Sequence, residues 1–178
     1  MNNEEIISCV HSARAGNEPA LRRLVESHQN LVFAIARQMG GAASDHEDIA
    51  QETFLRAIRA LHCLKDPSRF TAWLCGIAIN VSREYRRRQW RFVPWEQARP
   101  AQAEAPAVNS TDSAALVELM GRLPEKYRLP LTLRYTEGMS YSRMATILGV
   151  PESTARSLVH RGRARLLALA RRRGITLA

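Results

Sequence analysis

The chain has 178 residues, with 26 Lys and Arg against 17 Asp and Glu, a net charge of +9. That length allows one domain or two small ones, and the positive excess favours a polyanionic partner, nucleic acid above all. Cys9, Cys63 and Cys75 are odd in number and lack CxxC spacing, which argues against a disulfide framework or a structural zinc site.

Glu4 and Glu5 stand where a secretion signal would be basic, and no apolar run approaches membrane-spanning length. A cytoplasmic protein without membrane insertion is expected. Residues 3 to 15 read as a first helix with Ile6, Ile7 and Val10 as its apolar stripe, interrupted by Gly16 and Asn17. Pro19 suits the start of a long helix from Glu18 to about Met39. Leu21, Leu24, Val25, His28, Leu31, Val32, Ile35 and Ala36 follow helical spacing along it, with His28 as a partly buried packing or hydrogen-bonding residue. Gly40 and Gly41 end that helix.

Ser44 and Glu47 have the spacing of a capping box, and Ile49, Ala50, Thr53, Phe54, Ala57 and Ile58 form the expected buried face behind it. Asp45, Glu47, Asp48, Gln51 and Glu52 occupy the first turns. The helix dipole alone favours acids there, yet the patch also suits a protein partner with a basic surface. Residues 61 to 69 read as a loop, followed by a helix from Phe70 to about Arg88 with Trp73, Leu74, Ile77, Ala78 and Val81 inward. Cys75, in the same apolar run, reads as a small buried hydrophobe. From Arg83 to Arg91 five of nine residues are Arg, Glu84 is the one acid, and Tyr85, Trp90 and Phe92 are interleaved. Such a segment fits either a single-strand-binding surface or a solvated helix end with core aromatics, and spacing leaves both open.

Residues 94 to 113 are rich in Pro and Ala without periodicity and read as a flexible linker. The fold expected is all-α: a helical domain over residues 1–93, the linker, and a second small helical domain over residues 114–178. Leu116, Leu119, Met120 and Leu123 begin the second. Pro124 opens a helix with Tyr127, Leu131, Leu133 and Tyr135 as contacts, in which Pro130 marks a kink or a boundary. Gly138 to Leu167 then carries a helix-turn-helix pattern. Ser140 serves as N-cap, Met144, Ala145 and Leu148 turn inward, Gly149 takes the left-handed turn position, and Pro151 starts the second helix. Ala145 is expected at the close helix crossing, and Leu158 is expected to anchor the second helix. Thr154 or Ala155 and Gly162 also face inward, leaving Ser153, Arg156, Ser157, His160 and Arg161 outward to enter a major groove. Arg163, Arg165 and Arg171 to Arg173 extend the positive surface.

These residues resemble the extracytoplasmic-function sigma factors, the minimal two-domain initiation subunits of bacterial RNA polymerase. The resemblance rests on Asp48 to Ala57, Phe70 to Leu74, Ile77 to Asn80 and Arg83 in the first half. In the second it rests on Leu123-Pro124, Leu133 to Tyr141, Ala145, Leu148 to Pro151, Thr154, Ser157 and Arg161 to Arg163. It implies a first domain that binds the clamp helices of the polymerase's largest subunit through Asp48, Gln51 and Glu52, with Arg56 and Arg59 nearby. It implies capture of the single-stranded −10 element by Leu61, His62, Lys65, Asp66, Ser68 and Arg69, beside Asn80, Arg83 and Arg87. The second domain would read the −35 element as duplex through Ser153, Thr154, Arg156, Ser157, His160, Arg161 and Arg163, and reach the polymerase flap. Arg156 is the preferred base-edge reader, and Arg161 and Arg163 the preferred phosphate contacts. An anti-sigma partner is implied; a cofactor or metal is not. Two positions depart from the family: Ala155 stands where Val is usual, and Leu158-Val159 occupies a stretch that often carries a basic residue.

Three rival readings stand beside this one: a helix-turn-helix regulator, an enzyme, and a pure interaction protein that occupies polymerase without starting transcription. A conventional helix-turn-helix regulator binding duplex without polymerase needs neither the acidic patch nor the Arg-aromatic segment. An enzyme would need a nucleophile, base and orienting group, and no plausible set occurs; the five His lack metal-site spacing.

Overall fold

The computed structural model describes residues 1–39, 43–91 and 111–175, and shows helices and turns with no strand among them. The first module contains α1 (Asn3–Arg14), α2 (Glu18–Met39), α3 (His46–Ala60) and α4 (Phe70–Arg91), with 3-10 turns at Ala43–Asp45, Leu61–Cys63 and Pro67–Arg69. The second contains α5 (Thr111–Gly121), α6 (Glu125–Tyr135), α7 (Tyr141–Leu148) and α8 (Glu152–Arg171). Thus α5 begins inside the stretch read as linker; the remainder of that stretch, with Phe92, lies outside the described residues, as do Gly40, Gly41 and the side chain of Trp90.

In the first module α2 is central and packs on α1, α3 and α4. Its buried stripe is Leu24, His28, Leu31, Val32, Ile35 and Met39, while Leu21 and Val25 are only half-buried. The capping box expected at Ser44 and Glu47 is not formed. Residues Ala43–Asp45 wind into a 3-10 turn, so the N-cap of α3 is Asp45, in helical conformation and without a side-chain cap bond. The capping box of this module instead starts α1: Asn2 Oδ1 accepts from the Glu5 amide at 2.8 Å, and Glu5 Oε2 from the Asn2 amide at 3.1 Å. Ile58, expected inside, is exposed, because Ile49, Ala50, Thr53 and Ala57 alone set the inward direction of α3.

In the second module α6 and α8 pack most extensively. Ala145, half-buried, packs against the core cluster, and a tight crossing of α6 and α8 lies at Gly162. A Cβ there would stand 3.2 Å from the Leu131 side chain and 3.3 Å from Tyr127 Cβ. Pro130 is buried inside α6, and the helix runs through it to Tyr135. Tyr135, expected as a contact, is exposed, as is Leu116.

Two small modules joined by a linker have no need of a shared core. In the structure α4 packs on α7 and α2 on α6, and buried residues from both modules join in one cluster, apart from a small second one of Ala36, Ile49 and Val81. A module of this size cannot enclose all its apolar surface, so the leftover faces cover each other. Polar contacts border the seam. Thr71 Oγ1 lies 3.0 Å from His28 Nε2 and accepts from Arg143 Nη2 at 3.2 Å. Glu125 pairs with Arg83 at 3.1 Å and with Arg86 at 2.7 Å.

Candidate nucleic-acid and protein interfaces

The helix-turn-helix forms as its residues dictate. Ser140 Oγ accepts from the Arg143 amide, and Met144 and Ile147 turn into the core. Gly149 ends α7 at φ 65°, a left-handed conformation that glycine adopts without a Cβ clash. Pro151 caps α8, and its carbonyl accepts from Ala155. The inward residues of α8 are Ala155, Val159, Gly162 and Ala170, at spacings of four, three and eight. The choice between Thr154 and Ala155 therefore falls on Ala155. The anchor is Val159 rather than Leu158, which is half-buried, because Val159 follows Ala155 by one full turn and Leu158 does not. With this phase Ser153, Thr154, Arg156, His160, Arg161 and Arg163 are all exposed, and Ser157 is half-buried.

Arg156 does not project freely. Its guanidinium lies over the Tyr141 ring, 4.9 Å from the centroid, and its Nη2 is 3.5 Å from Glu152 Oε1. Arg134 lies over the same ring at 4.8 Å and donates from Nη1 to the Met139 carbonyl at 2.7 Å. Further along α8, Arg165 lies over the Tyr127 ring at 4.9 Å. Just beyond its end, Arg173 pairs with Glu118 at 2.7 Å and holds that carboxyl below its ordinary range. Part of the C-terminal Arg run is therefore engaged within the module.

On α3 the polymerase-facing candidates divide. Asp48, Gln51 and Arg59 are exposed, together with the apolar Leu55 and Ile58, at 48% and 41% exposure. Glu52 and Arg56 face α4. Arg56 donates to both carboxylate oxygens of Glu84, at 3.0 and 2.8 Å, and to Glu52 at 2.7 Å. These bonds, Glu84 first and then Glu52, raise the guanidinium above its ordinary value. Arg56 is thus a strut between helices, and Glu84, the lone acid of the Arg run, is its partner. Spacing gave no sign of this link across 28 residues.

In the −10 candidate set, Leu61 is buried, so its side chain belongs to the core and not to a base pocket. Arg14, not noticed in the sequence, fixes this segment by donating Nε to the Leu61 carbonyl at 3.1 Å and Nη2 to the Leu64 carbonyl. His62, Lys65, Asp66, Ser68 and Arg69 are exposed. Asp66 Oδ1 accepts from the Ser68 amide at 2.9 Å and hydroxyl at 2.6 Å, which lowers its carboxyl pKa. Asn80, Arg83 and Arg87 are exposed at positions that share one face of α4. Arg83 there meets Glu125. Burial alone would raise the Glu125 carboxyl, but Arg86 and Arg83 keep it below its ordinary value.

Among the described residues no group of three or more His, Cys, Asp or Glu is placed to hold a metal, and no helix is long and apolar enough to cross a membrane. Burial pushes the Cys75 thiol up to about 12, which keeps it protonated, while Cys63 is exposed.

A helix-turn-helix with an Arg-faced second helix, joined to a helical module bearing an acidic and apolar helix face, defines a two-module DNA-binding protein built to meet a second macromolecule as well. Residues 24–92 match the family model for sigma-70 region 2, and residues 113–166 match that for sigma-70 region 4. The chain belongs to the sigma-70 family, with the extracytoplasmic-function type among its relatives. It is 34% identical to the ECF RNA polymerase sigma factor SigE of Mycolicibacterium smegmatis, over 83% of this chain and 60% of that one. It thus spans less than two thirds of SigE. It is 29% identical to the RNA polymerase sigma-H factor of Pseudomonas aeruginosa, over 92% of each. Among solved structures, CnrH in complex with the cytosolic domain of CnrY superposes with a TM-score of 0.71 at 28% identity, covering 93% of this chain and 96% of that one. Sigma factors are non-enzymatic initiation factors.

Proposed function

We propose that this protein is a sigma factor of the extracytoplasmic-function type that directs core RNA polymerase to promoters in the cytoplasm and does no chemistry of its own. Residues 1–93 act as the region 2-like domain and residues 114–178 as the region 4-like domain, with 94–113 between them. The single observation that carries the reading is the pairing, in one chain, of an exposed acidic and apolar face on α3 with an exposed Arg face on a helix-turn-helix. Asp48, Gln51, Leu55, Ile58 and Arg59 form the surface for the clamp helices of the polymerase's largest subunit. His62, Lys65, Asp66, Ser68, Arg69, Asn80, Arg83 and Arg87 border the opened −10 strand, where an unstacked base must be compensated by new contacts. The outward residues of α8 enter the −35 duplex.

The packed arrangement is not the one that does this. About 25 base pairs separate the two elements, on the order of 80 Å of duplex. A compact chain of this length has a radius of gyration of about 16 Å. The modules therefore separate on the polymerase, and the roughly 20 residues between them reach about 66 Å when extended. Separation frees Arg83 and Arg86 from Glu125. An anti-sigma partner that holds the modules together fits the same geometry, and CnrH is seen in complex with the cytosolic domain of CnrY.

Run-off transcription with core polymerase on a genomic promoter pool tests the reading. Discrete start sites that appear only with this protein are expected. No association with core polymerase at any salt concentration would reject it.

A further inference from the structure

We propose that Tyr141 is a positioning residue for −35 recognition, holding the Arg156 guanidinium in the orientation that meets a base edge. The inference deepens the reading of α8 as the −35 helix and rests on it. An arginine on an exposed helix face samples many rotamers, and ordering it on the DNA costs affinity without regard to sequence. A bidentate contact to a guanine needs the planar fork at one angle, whereas a phosphate accepts it at many. Arg156 already has partners in the free chain. Its guanidinium lies 4.9 Å from the centroid of the Tyr141 ring, and the Glu152 carboxylate is 3.5 Å from Nη2.

The ring itself is fixed. Tyr141 is the first residue of α7, directly after the Ser140 cap, and is half-buried against the core cluster. Arg134 covers the ring at 4.8 Å while its own Nη1 is tied to the Met139 carbonyl. The stack is therefore built from α6 and α7, and it aims a side chain of α8. Tyr141 needs no contact with a base to influence which base is chosen. The face of the ring does the work, so Phe suffices in its place and an aliphatic residue does not.

The test uses the full chain assembled with core polymerase and a promoter duplex library randomised across −35. Bound sequences are read at each position for the wild type and for Arg156→Ala, Tyr141→Phe, Tyr141→Leu and Tyr141→Leu/Arg156→Ala. Arg156→Ala is expected to relax one position, losing roughly 5- to 150-fold of discrimination there. Tyr141→Leu is expected to relax that same position several-fold and no other, Tyr141→Phe to keep the preference, and the double variant to match Arg156→Ala. A melting curve for Tyr141→Leu separates loss of fold, which would flatten all positions together, from loss of aim; if flattening is all that is seen while Tyr141→Phe behaves as wild type only in stability, the positioning role is rejected. If Arg156→Ala relaxes a position and Tyr141→Leu leaves it sharp, this inference fails and the −35 reading stands. If Arg156→Ala relaxes nothing, the assignment of Arg156 as base reader fails, and Tyr141 has nothing to position.

Discussion

Two helices of this protein present exposed faces of opposite character. The α3 face offers Asp48 and Gln51 beside exposed Leu55 and Ile58; the α8 face offers Arg156, His160, Arg161 and Arg163 beside small hydroxyls. Apolar side chains left in water next to carboxylates suit a protein surface, which can cover them. A face of arginines and hydroxyls without large apolar residues suits duplex DNA, whose edges and phosphates accept hydrogen bonds. Charge alone would not separate these roles, because the chain as a whole is basic.

The largest effect should come from reversing the α3 face. Asp48→Arg with Leu55→Asp leaves the Glu52–Arg56–Glu84 strut untouched. It is expected to weaken binding to core polymerase by about 100-fold or more, about 2.7 kcal/mol, with the melting temperature unchanged. An unaltered titration would remove α3 from the interface. Filling the tight α6–α8 crossing of the other module should act on stability instead. Gly162→Val places methyls against Leu131 and Tyr127. A destabilisation of about 2 kcal/mol is expected, since overpacking outweighs the gain in helix propensity. Thermal unfolding at the wild-type temperature would show that α8 shifts freely away from α6.

The seam between the faces gives smaller effects. Burial, assisted by nearby Arg143, lowers the His28 imidazole below its ordinary 6.5. The unfolded chain then takes up a proton near 6.5 while the folded chain does not. Stability is full above that pH and declines below it, by at most about 1.4 kcal/mol per pH unit until the folded pKa is passed. Melting curves between pH 7 and pH 5 should show the decline, and His28→Gln should flatten it; an equal decline in the variant would place its source elsewhere. The smallest effect is expected from Glu125→Gln, which removes two partly exposed ion pairs. It should loosen the modules by under about 1 kcal/mol. Small-angle scattering should show a larger radius for the variant at low salt, converging with wild type at high salt. Identical radii at low salt would mean that apolar packing alone holds the seam.

Local order was legible in the residues themselves. The bounds of α2, the Ser140 cap, the Gly149 turn and the outward set on α8 follow from backbone preference and from helical period, which act over a few neighbours. The same logic failed where a neighbour competed. Ser44 lost its capping role to a 3-10 turn, and Val159 rather than Leu158 took the inward direction because Ala155 and Gly162 set the phase. Long-range pairing left no local mark at all. Arg56 with Glu84, Arg14 with the Leu61 carbonyl, Arg83 with Glu125 and Arg156 with Tyr141 join residues whose spacing carries no period.

The sequence by itself determined an all-helical chain with a helix-turn-helix and a basic outward face, because each rests on interactions within a turn or two of helix. Only the tertiary structure decided which arginines are spoken for and which remain available. A guanidinium reaches several ångströms from its backbone and pairs with whatever carboxylate, carbonyl or ring the fold brings near, and that neighbour is set by packing rather than by order along the chain.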